Sequence, residues 1–82
     1  MTSLEGKLAI VTGGARDIGR AISESLAARG AKVVVNYFNT PSDGEATVAA
    51  IRDAGGEAIA VRGDMTKDDD VANLVAEAQT IF

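Results

Sequence analysis

Cysteine and histidine are both absent from the 82 residues of this chain. Without cysteine, neither a disulfide nor a thiolate metal site can form, and without histidine, a histidine-ligated zinc site and a Ser-His-Asp triad are excluded. Proline occurs once and tryptophan does not occur. No uninterrupted apolar run approaches the length that spans a membrane, so a membrane partner is not expected.

Basic residues are in the minority, because 8 lysines and arginines stand against 12 aspartates and glutamates, for a net charge of −4. Binding to a phosphate backbone normally needs a basic face, so nucleic acid is not an expected partner.

The apolar fraction of 46% and the charged fraction of 24% are typical of folded globular domains. With no leader pattern at its start, the chain is expected to be a soluble, cytoplasmic protein with one small domain over residues 1–82.

Three apolar segments rich in β-branched residues recur along the chain, at residues 8–12, 32–36 and 58–61. Each is a continuous apolar run, which favours strands buried on both faces, as in parallel sheets. The stretches that follow them have helical spacing, as in Ile18, Ile22 and Leu26. This order predicts an α/β fold, the N-terminal β-α-β-α-β-α part of a Rossmann fold, with a parallel sheet in the order 3-2-1. The first two helices are expected on the same face.

The predicted helices carry start and stop signals. Gly30 ends the first helix, and the glycine pair that begins at Gly55 ends the second. Residues 42–45 and 66–69 each place a hydroxyl three residues before a carboxylate, which is the spacing of a capping box at the start of the second and third helices.

The most informative segment is residues 12–19, which read Thr-Gly-Gly-Ala-Arg-Asp-Ile-Gly between the first strand and the first helix. Gly13 permits a sharp turn out of the strand, and Gly19 leaves room for the helix to pack on the sheet. The free N–H groups of the first helical turn favour an anionic pyrophosphate, and Arg16 adds a positive charge beside them. A glycine-rich turn without a ligand is the alternative interpretation.

This segment resembles the signature Thr-Gly-x-x-x-Gly-x-Gly of the short-chain dehydrogenase/reductase family, with Thr12, Gly13 and Gly19 in matching places. Three further segments resemble the same family, at residues 5–11, 27–33 and 54–58. The resemblance covers residues 4 to 82 and is strongest to the branch that contains 3-oxoacyl-[acyl-carrier-protein] reductases.

The resemblance implies a nicotinamide dinucleotide as the bound partner. It assigns cofactor binding to Gly13, Ala15, Arg16, Ile18, Gly19, Phe38, Asp64 and Met65. Asp64 would accept a hydrogen bond from the adenine amino group, and the Met65 backbone would contact the ring. The alternative for Asp64 is a purely structural role at the start of the third helix.

NADP(H) is favoured over NAD(H). The second strand ends without the carboxylate that holds a ribose 2′-hydroxyl in NAD-dependent Rossmann sites, and its absence removes a repulsion toward a 2′-phosphate. By resemblance, Arg16 contacts that phosphate. Phe38 stands where a polar or basic side chain is common in NADP-dependent members, which weakens the preference.

Asp17 is the one departure from the signature, since the family has glycine there. Its carboxylate could cap the first helix. Pointing inward, it would instead compete with pyrophosphate for the same N–H donors and weaken cofactor binding. Both orientations stay open at this point.

No catalytic residue is assigned. The family's chemistry requires Tyr-x-x-x-Lys, and the only tyrosine, Tyr37, is followed four residues later by Pro41. The 82-residue chain is therefore expected to be a cofactor-binding portion of a carbonyl/hydroxyl oxidoreductase, inactive by itself. A non-catalytic nucleotide-binding half-fold and an interaction fragment that pairs through an open sheet edge are the alternatives. An exposed first strand and an uncovered apolar face also predict that the isolated chain is a homo-oligomer or folds poorly.

Overall fold

A computed structural model describes residues 3–13 and 15–82 of the chain. Within them, strands and helices alternate: β1 (Leu8–Val11), α1 (Asp17–Ala28), β2 (Lys32–Tyr37), α2 (Pro41–Asp53), β3 (Glu57–Arg62) and α3 (Asp68–Ile81). The strands form one parallel sheet in the order β1-β2-β3, with Val33 opposite Ala9 on one side and Ala58 on the other. The predicted α/β fold with sheet order 3-2-1 is confirmed.

The centre of the core is β2. Val33, Val34 and Val35 all have 0% of their surface exposed, because neighbouring strands cover both edges and helices cover both faces. Alternate residues of a strand point to opposite faces. The side chains on the two faces of β2 therefore belong to different apolar clusters. Val33 and Val35 pack with residues of α1 and α2, whereas Val34 packs with Leu74 and Ala78 of α3. The first two helices thus share a face, as predicted.

The outer strand β1 is exposed on one face, as the sequence predicted for the first strand. Leu8 is 39% exposed and Ile10 is 36% exposed. Ala9 and Val11, on the alternate side, pack against the cluster formed with α1 and α2. The reason is that α3 covers the second face over β2 and β3, through Val34 and Val61, and does not extend over β1.

Both glycine stop signals work as predicted. The Gly30 amide donates to the carbonyl of Ala27 and the Ala31 amide to that of Leu26, and the Gly55 and Gly56 amides form the equivalent pair of bonds with Arg52 and Ile51. Each set is a Schellman motif, which satisfies carbonyl groups that would otherwise lack a partner at the helix end.

The predicted capping boxes do not form. Helix α2 begins at Pro41 with Thr40 as its N-cap, so Ser42 already lies inside the helix. Proline favours this early start because its φ is preset for the first helical position. Helix α3 begins at Asp68 after the N-cap Lys67, and no N-cap side chain of α1, α2 or α3 makes a capping hydrogen bond. The Thr66 hydroxyl donates to the Asp64 carboxylate instead.

Candidate functional site

A cleft of about 170 Å³ lies at the carboxyl ends of β1 and β2. In a parallel sheet with helices on both faces, ligands bind at this edge of the strands. The loops that follow β1 and β2 form its walls, together with the first turn of α2. Its lining residues are Gly13, Ala15, Arg16, Asn36, Tyr37, Phe38, Asn39, Thr40 and Asp43. Four predicted site residues, Gly13, Ala15, Arg16 and Phe38, therefore come together here.

Gly13 makes the turn out of β1. Its φ of +64° lies in the left-handed region that favours glycine, and a Cβ built on it would meet no heavy atom within 4 Å. The glycine is thus needed for its backbone conformation, and the space above it is open. A backbone with that freedom and that open space suits the close approach of a phosphate group.

Asn36 connects the loops at this edge of the sheet. The side chain is only 3% exposed. Its Oδ1 accepts a hydrogen bond from the Gly13 amide at 3.2 Å, and its Nδ2 donates to the carbonyls of Val61 at 3.3 Å and Gly63 at 3.1 Å. One buried amide therefore ties the turn after β1 to the end of β3 across the central strand.

Thr47 makes a second buried connection. Its hydroxyl, on α2, donates to the Ala15 carbonyl at 2.9 Å, and the Thr47 side chain has no exposed surface. Ala15 itself is 7% exposed and belongs to the core cluster on this face. The far end of the glycine turn is thereby anchored to α2. Sequence reasoning missed both connections; a polar residue that closes an apolar strand, as Asn36 does, is the signal that could have found one of them.

Helix α1 begins directly after the turn. Arg16 is its N-cap, with extended backbone, and Asp17 is its first residue, with a φ of +51°. Among the described residues, Asp17 is the only non-glycine residue with positive φ. This conformation disfavours a side chain with a Cβ. The backbone here therefore has the geometry of a glycine, which is the residue that the signature has at this position.

Charged and aromatic groups line the outer wall of the cleft. Arg16 Nε lies 3.5 Å from Asp43 Oδ2. On the neighbouring strand end, the Arg62 guanidinium lies 5.3 Å from the centre of the Phe38 ring, and its Nε donates to the Phe38 carbonyl at 3.2 Å. Phe38 remains 43% exposed. A half-open ring beside the cleft can stack on a planar group.

Ile18 and Gly19 are not among the residues that line the cleft. Ile18 is 77% exposed and lines a separate apolar groove on α1 with Ile22 and Leu26. The Gly19 carbonyl, inside α1, accepts a hydrogen bond from the Ser23 hydroxyl at 2.9 Å.

Asp64 and Met65 follow β3, at the same edge of the sheet but outside the cleft lining. Asp64 Oδ1 accepts hydrogen bonds from the Thr66 hydroxyl at 2.6 Å and the Thr66 amide at 2.9 Å. These two bonds, the hydroxyl first, hold the pKa of the Asp64 carboxyl below its usual value. Asp64 is therefore an ionised acceptor at neutral pH. Met65 is half-buried and packs against the cluster on the α3 face.

The family model for short chain dehydrogenase matches residues 7–82. The chain belongs to the short-chain dehydrogenase family. Membership accounts for the alternating order of strands and helices and for the glycine turn. Short-chain dehydrogenases use nicotinamide dinucleotide cofactors, which is the class of ligand that the sequence predicted.

Relatives in this family are several kinds of reductase and oxidoreductase. The chain is 47% identical over its full length to an uncharacterised oxidoreductase of Methylorubrum extorquens, of which it covers 33%. It is 44% identical over 98% of its length to a tetrahydroxynaphthalene reductase of Pyricularia oryzae, of which it covers 28%. The solved short-chain dehydrogenase/reductase of Serratia marcescens superposes with a TM-score of 0.94 at 36% identity, over 99% of this chain and 33% of that one. The chain thus spans about a third of the length of these proteins.

None of the helices in residues 3–13 and 15–82 combines the length and the apolar character that crossing a membrane requires.

Proposed function

We propose that this chain is the cofactor-binding portion of a short-chain oxidoreductase that uses NADP(H) and acts on a carbonyl or hydroxyl substrate. The observation that carries the proposal is the turn from Gly13 to Asp17, which has glycine-like backbone at both ends and opens into a cleft at the carboxyl ends of β1 and β2. The relatives support the reaction class, since one of them is a tetrahydroxynaphthalene reductase. The stronger resemblance to 3-oxoacyl-[acyl-carrier-protein] reductases remains a prediction.

The residues of the cleft suit the phosphate groups of a dinucleotide. The open space above Gly13 leaves room for a phosphate, and the first amides of α1, at the positive end of its dipole, favour an anion there. Ala15, Ile18 and Gly19 shape this turn and the helix start. When bound, NADP(H) supplies the hydride that is exchanged with the substrate. The chain's own residues bind and orient the cofactor.

Two features of the cleft support NADP(H) over NAD(H). Arg16 lines the cleft and is 65% exposed, so its guanidinium is accessible to an added phosphate. The end of β2 contributes Asn36 and Tyr37 to the cleft, followed by Phe38 and Asn39, and none of these is a carboxylate. A guanidinium is well suited to bind a phosphate through several donors.

For the adenine end, we propose Asp64 and Met65. Both hydrogen bonds from Thr66 fall on Oδ1 of Asp64, so Oδ2 is available to accept a bond from an amino group. The low pKa of this carboxyl supports the acceptor role at neutral pH. Phe38 lies between this strand end and the cleft and offers a ring for stacking.

Catalytic residues are not assigned to this chain. Tyr37 is the last residue of β2, half-buried, and a Cβ built on Gly44 of α2 would lie 2.7 Å from its ring. A tyrosine packed so closely against a helix, with Pro41 at the position of the required lysine, is not suited to donate a proton to a substrate. We propose that the chain alone is inactive in catalysis and that its setting is the cytoplasm.

Association between copies is part of the proposal. Leu8 and Ile10 of the outer strand, and Ile18 and Ile22 of α1, are each at least 36% exposed. Exposed apolar groups next to an unpaired strand edge favour self-association. Sedimentation velocity should therefore show dimers or larger species, and a monomer at every concentration would contradict this part of the proposal.

Isothermal titration calorimetry with NADPH and NADH tests the cofactor proposal. The chain should bind NADPH more tightly than NADH, and R16Q should weaken NADPH binding about tenfold with little effect on NADH, because one charged contact to phosphate is lost. The matched control is R20Q, which removes an arginine paired with Glu24 on α1 and outside the cleft. Absence of binding to either cofactor, or equal weakening of both by R16Q, would overturn the proposal.

A further inference from the structure

The ion pair between Arg16 and Asp43 joins two different elements across the cleft. Arg16 is the N-cap of α1, and Asp43 lies in the first turn of α2. Their side chains are 65% and 37% exposed, with Nε and Oδ2 at 3.5 Å, and both residues line the cleft. The guanidinium proposed to meet a 2′-phosphate is therefore already paired with a carboxylate of this chain.

The helix holds this carboxylate in place. Because α2 starts at Pro41, Asp43 is the third helical residue, and its amide donates to the Thr40 carbonyl at 3.1 Å. A negative side chain in the first helical turn is stabilised by the helix dipole. Asp43 is thus a fixed, negatively charged group of the cleft wall and does not depend on a mobile loop for its position.

We propose that Asp43 is a specificity-determining residue that weakens the binding of 2′-phosphorylated nucleotides. The inference rests on the proposed NADP(H) site. A ribose 2′-phosphate carries between one and two negative charges at neutral pH, as phosphate monoesters do. At Arg16 it either displaces the Asp43 carboxylate from Nε or binds the other guanidinium N–H groups with that carboxylate beside it. A nucleotide with a free 2′-hydroxyl neither displaces the carboxylate nor is repelled by it. Asp43 therefore shifts the cofactor preference toward NAD(H), whereas Arg16 shifts it toward NADP(H).

The carboxylate of the cleft comes from α2, because the end of β2 has no acidic residue. In the common arrangement the discriminating acid follows the second strand directly. Here the residues that follow β2 are Phe38 and Asn39, and the carboxylate comes from the next helix. The pair is solvent-exposed, so its effect is modest. Exposed ion pairs of this kind correspond to changes of up to about fivefold in an equilibrium constant.

The test measures binding of adenosine 2′,5′-bisphosphate and of adenosine 5′-monophosphate to the full chain by calorimetry. D43N keeps the side-chain shape and removes the charge, and D43S is a second variant with a residue that helix N-termini accept well. Both should tighten binding of the bisphosphate by up to about fivefold and leave binding of the monophosphate unchanged. E45Q is the matched control, since Glu45 lies on the same helix but lines a different groove with Val48.

The outcomes separate the two proposals. If D43N and D43S leave bisphosphate affinity unchanged, or tighten both nucleotides equally, the role of Asp43 is overturned while the cofactor site stands. If the gain persists in full in an R16Q background, the proposed action through Arg16 is wrong. If the wild type and both variants, shown to be folded by circular dichroism, bind neither nucleotide, the cofactor site itself is contradicted and the inference falls with it.

Discussion

The substitution N36D replaces the amino group of the buried amide that ties the turn after β1 to the end of β3. In the wild type, Nδ2 donates to the carbonyls of Val61 and Gly63, and Oδ1 accepts from the Gly13 amide. After the substitution, an oxygen replaces the donor and faces both carbonyls. The bond from Gly13 can persist, but the two bonds to the end of β3 are lost in the ionised form.

The expected loss in the free energy of unfolding follows from these contacts. Each lost hydrogen bond contributes about 1 kcal/mol, and the unsatisfied carbonyls and a carboxylate at 3% exposure add a desolvation penalty. The introduced carboxyl can reduce that penalty by taking up a proton. We therefore expect the free energy of unfolding to fall by about 2–4 kcal/mol at pH 7, and by less at pH 5. For a domain of 82 residues, the total is only about 4–12 kcal/mol.

Urea denaturation followed by far-ultraviolet circular dichroism measures this loss. N73D is the matched control, because Asn73 is exposed on α3 and the same change there should alter stability by no more than about 0.5 kcal/mol. If N36D costs less than about 1 kcal/mol, or no more than N73D, the connecting role of the Asn36 amide is refuted.

Two further substitutions test local features. At Asp17, the D17G variant should be more stable than the D17A variant by about 1 kcal/mol, because φ is +51° there. The control is A21G within α1, where glycine should be less stable than alanine. Thermal melts in which D17A is the more stable variant would contradict the left-handed geometry at Asp17. T66V should raise the pKa of Asp64, which lies below its ordinary value of 3.8 mainly through the Thr66 hydroxyl. Since the folded pKa is the lower one, the stabilisation exists above pH 3.8 and is lost as the pH falls through the folded pKa. Carboxyl carbon NMR titration should show the rise in T66V and not in T80V, whose hydroxyl bonds a helix carbonyl.

The fold was predictable because it depends on repeating local patterns. Continuous β-branched runs became strands, and the glycine stops at Gly30 and Gly55 became Schellman motifs. The helix starts were less predictable, because hydroxyl-to-carboxylate spacing does not reveal that Pro41 starts α2 early or that Thr66 bonds Asp64 instead of a helix amide.

The sequence predicted four of the residues that line the cleft. Gly13, Ala15 and Arg16 come from one turn, and Phe38 follows the second strand. Asn36, Thr47 and Asp43 reach the same place from β2 and α2, and their roles depend on distances between segments far apart in the sequence. Nothing in a single sequence gives such distances, so the residues that hold the turn and balance its charge became visible only in the folded chain.

The central position of β2 has a consequence for how the chain opens. Exchange of the β2 amides with solvent requires separation from a neighbouring strand, whereas β1, among the described residues, pairs only with β2, so we expect β1 to detach more easily. The glycine turn continues directly from β1, so we expect detachment of β1 to strain the turn, which the bonds with Asn36 and Thr47 hold in place. A nucleotide bound at the turn would stabilise the closed form, and protection of β1 against hydrogen exchange would then report occupancy of a site several residues away.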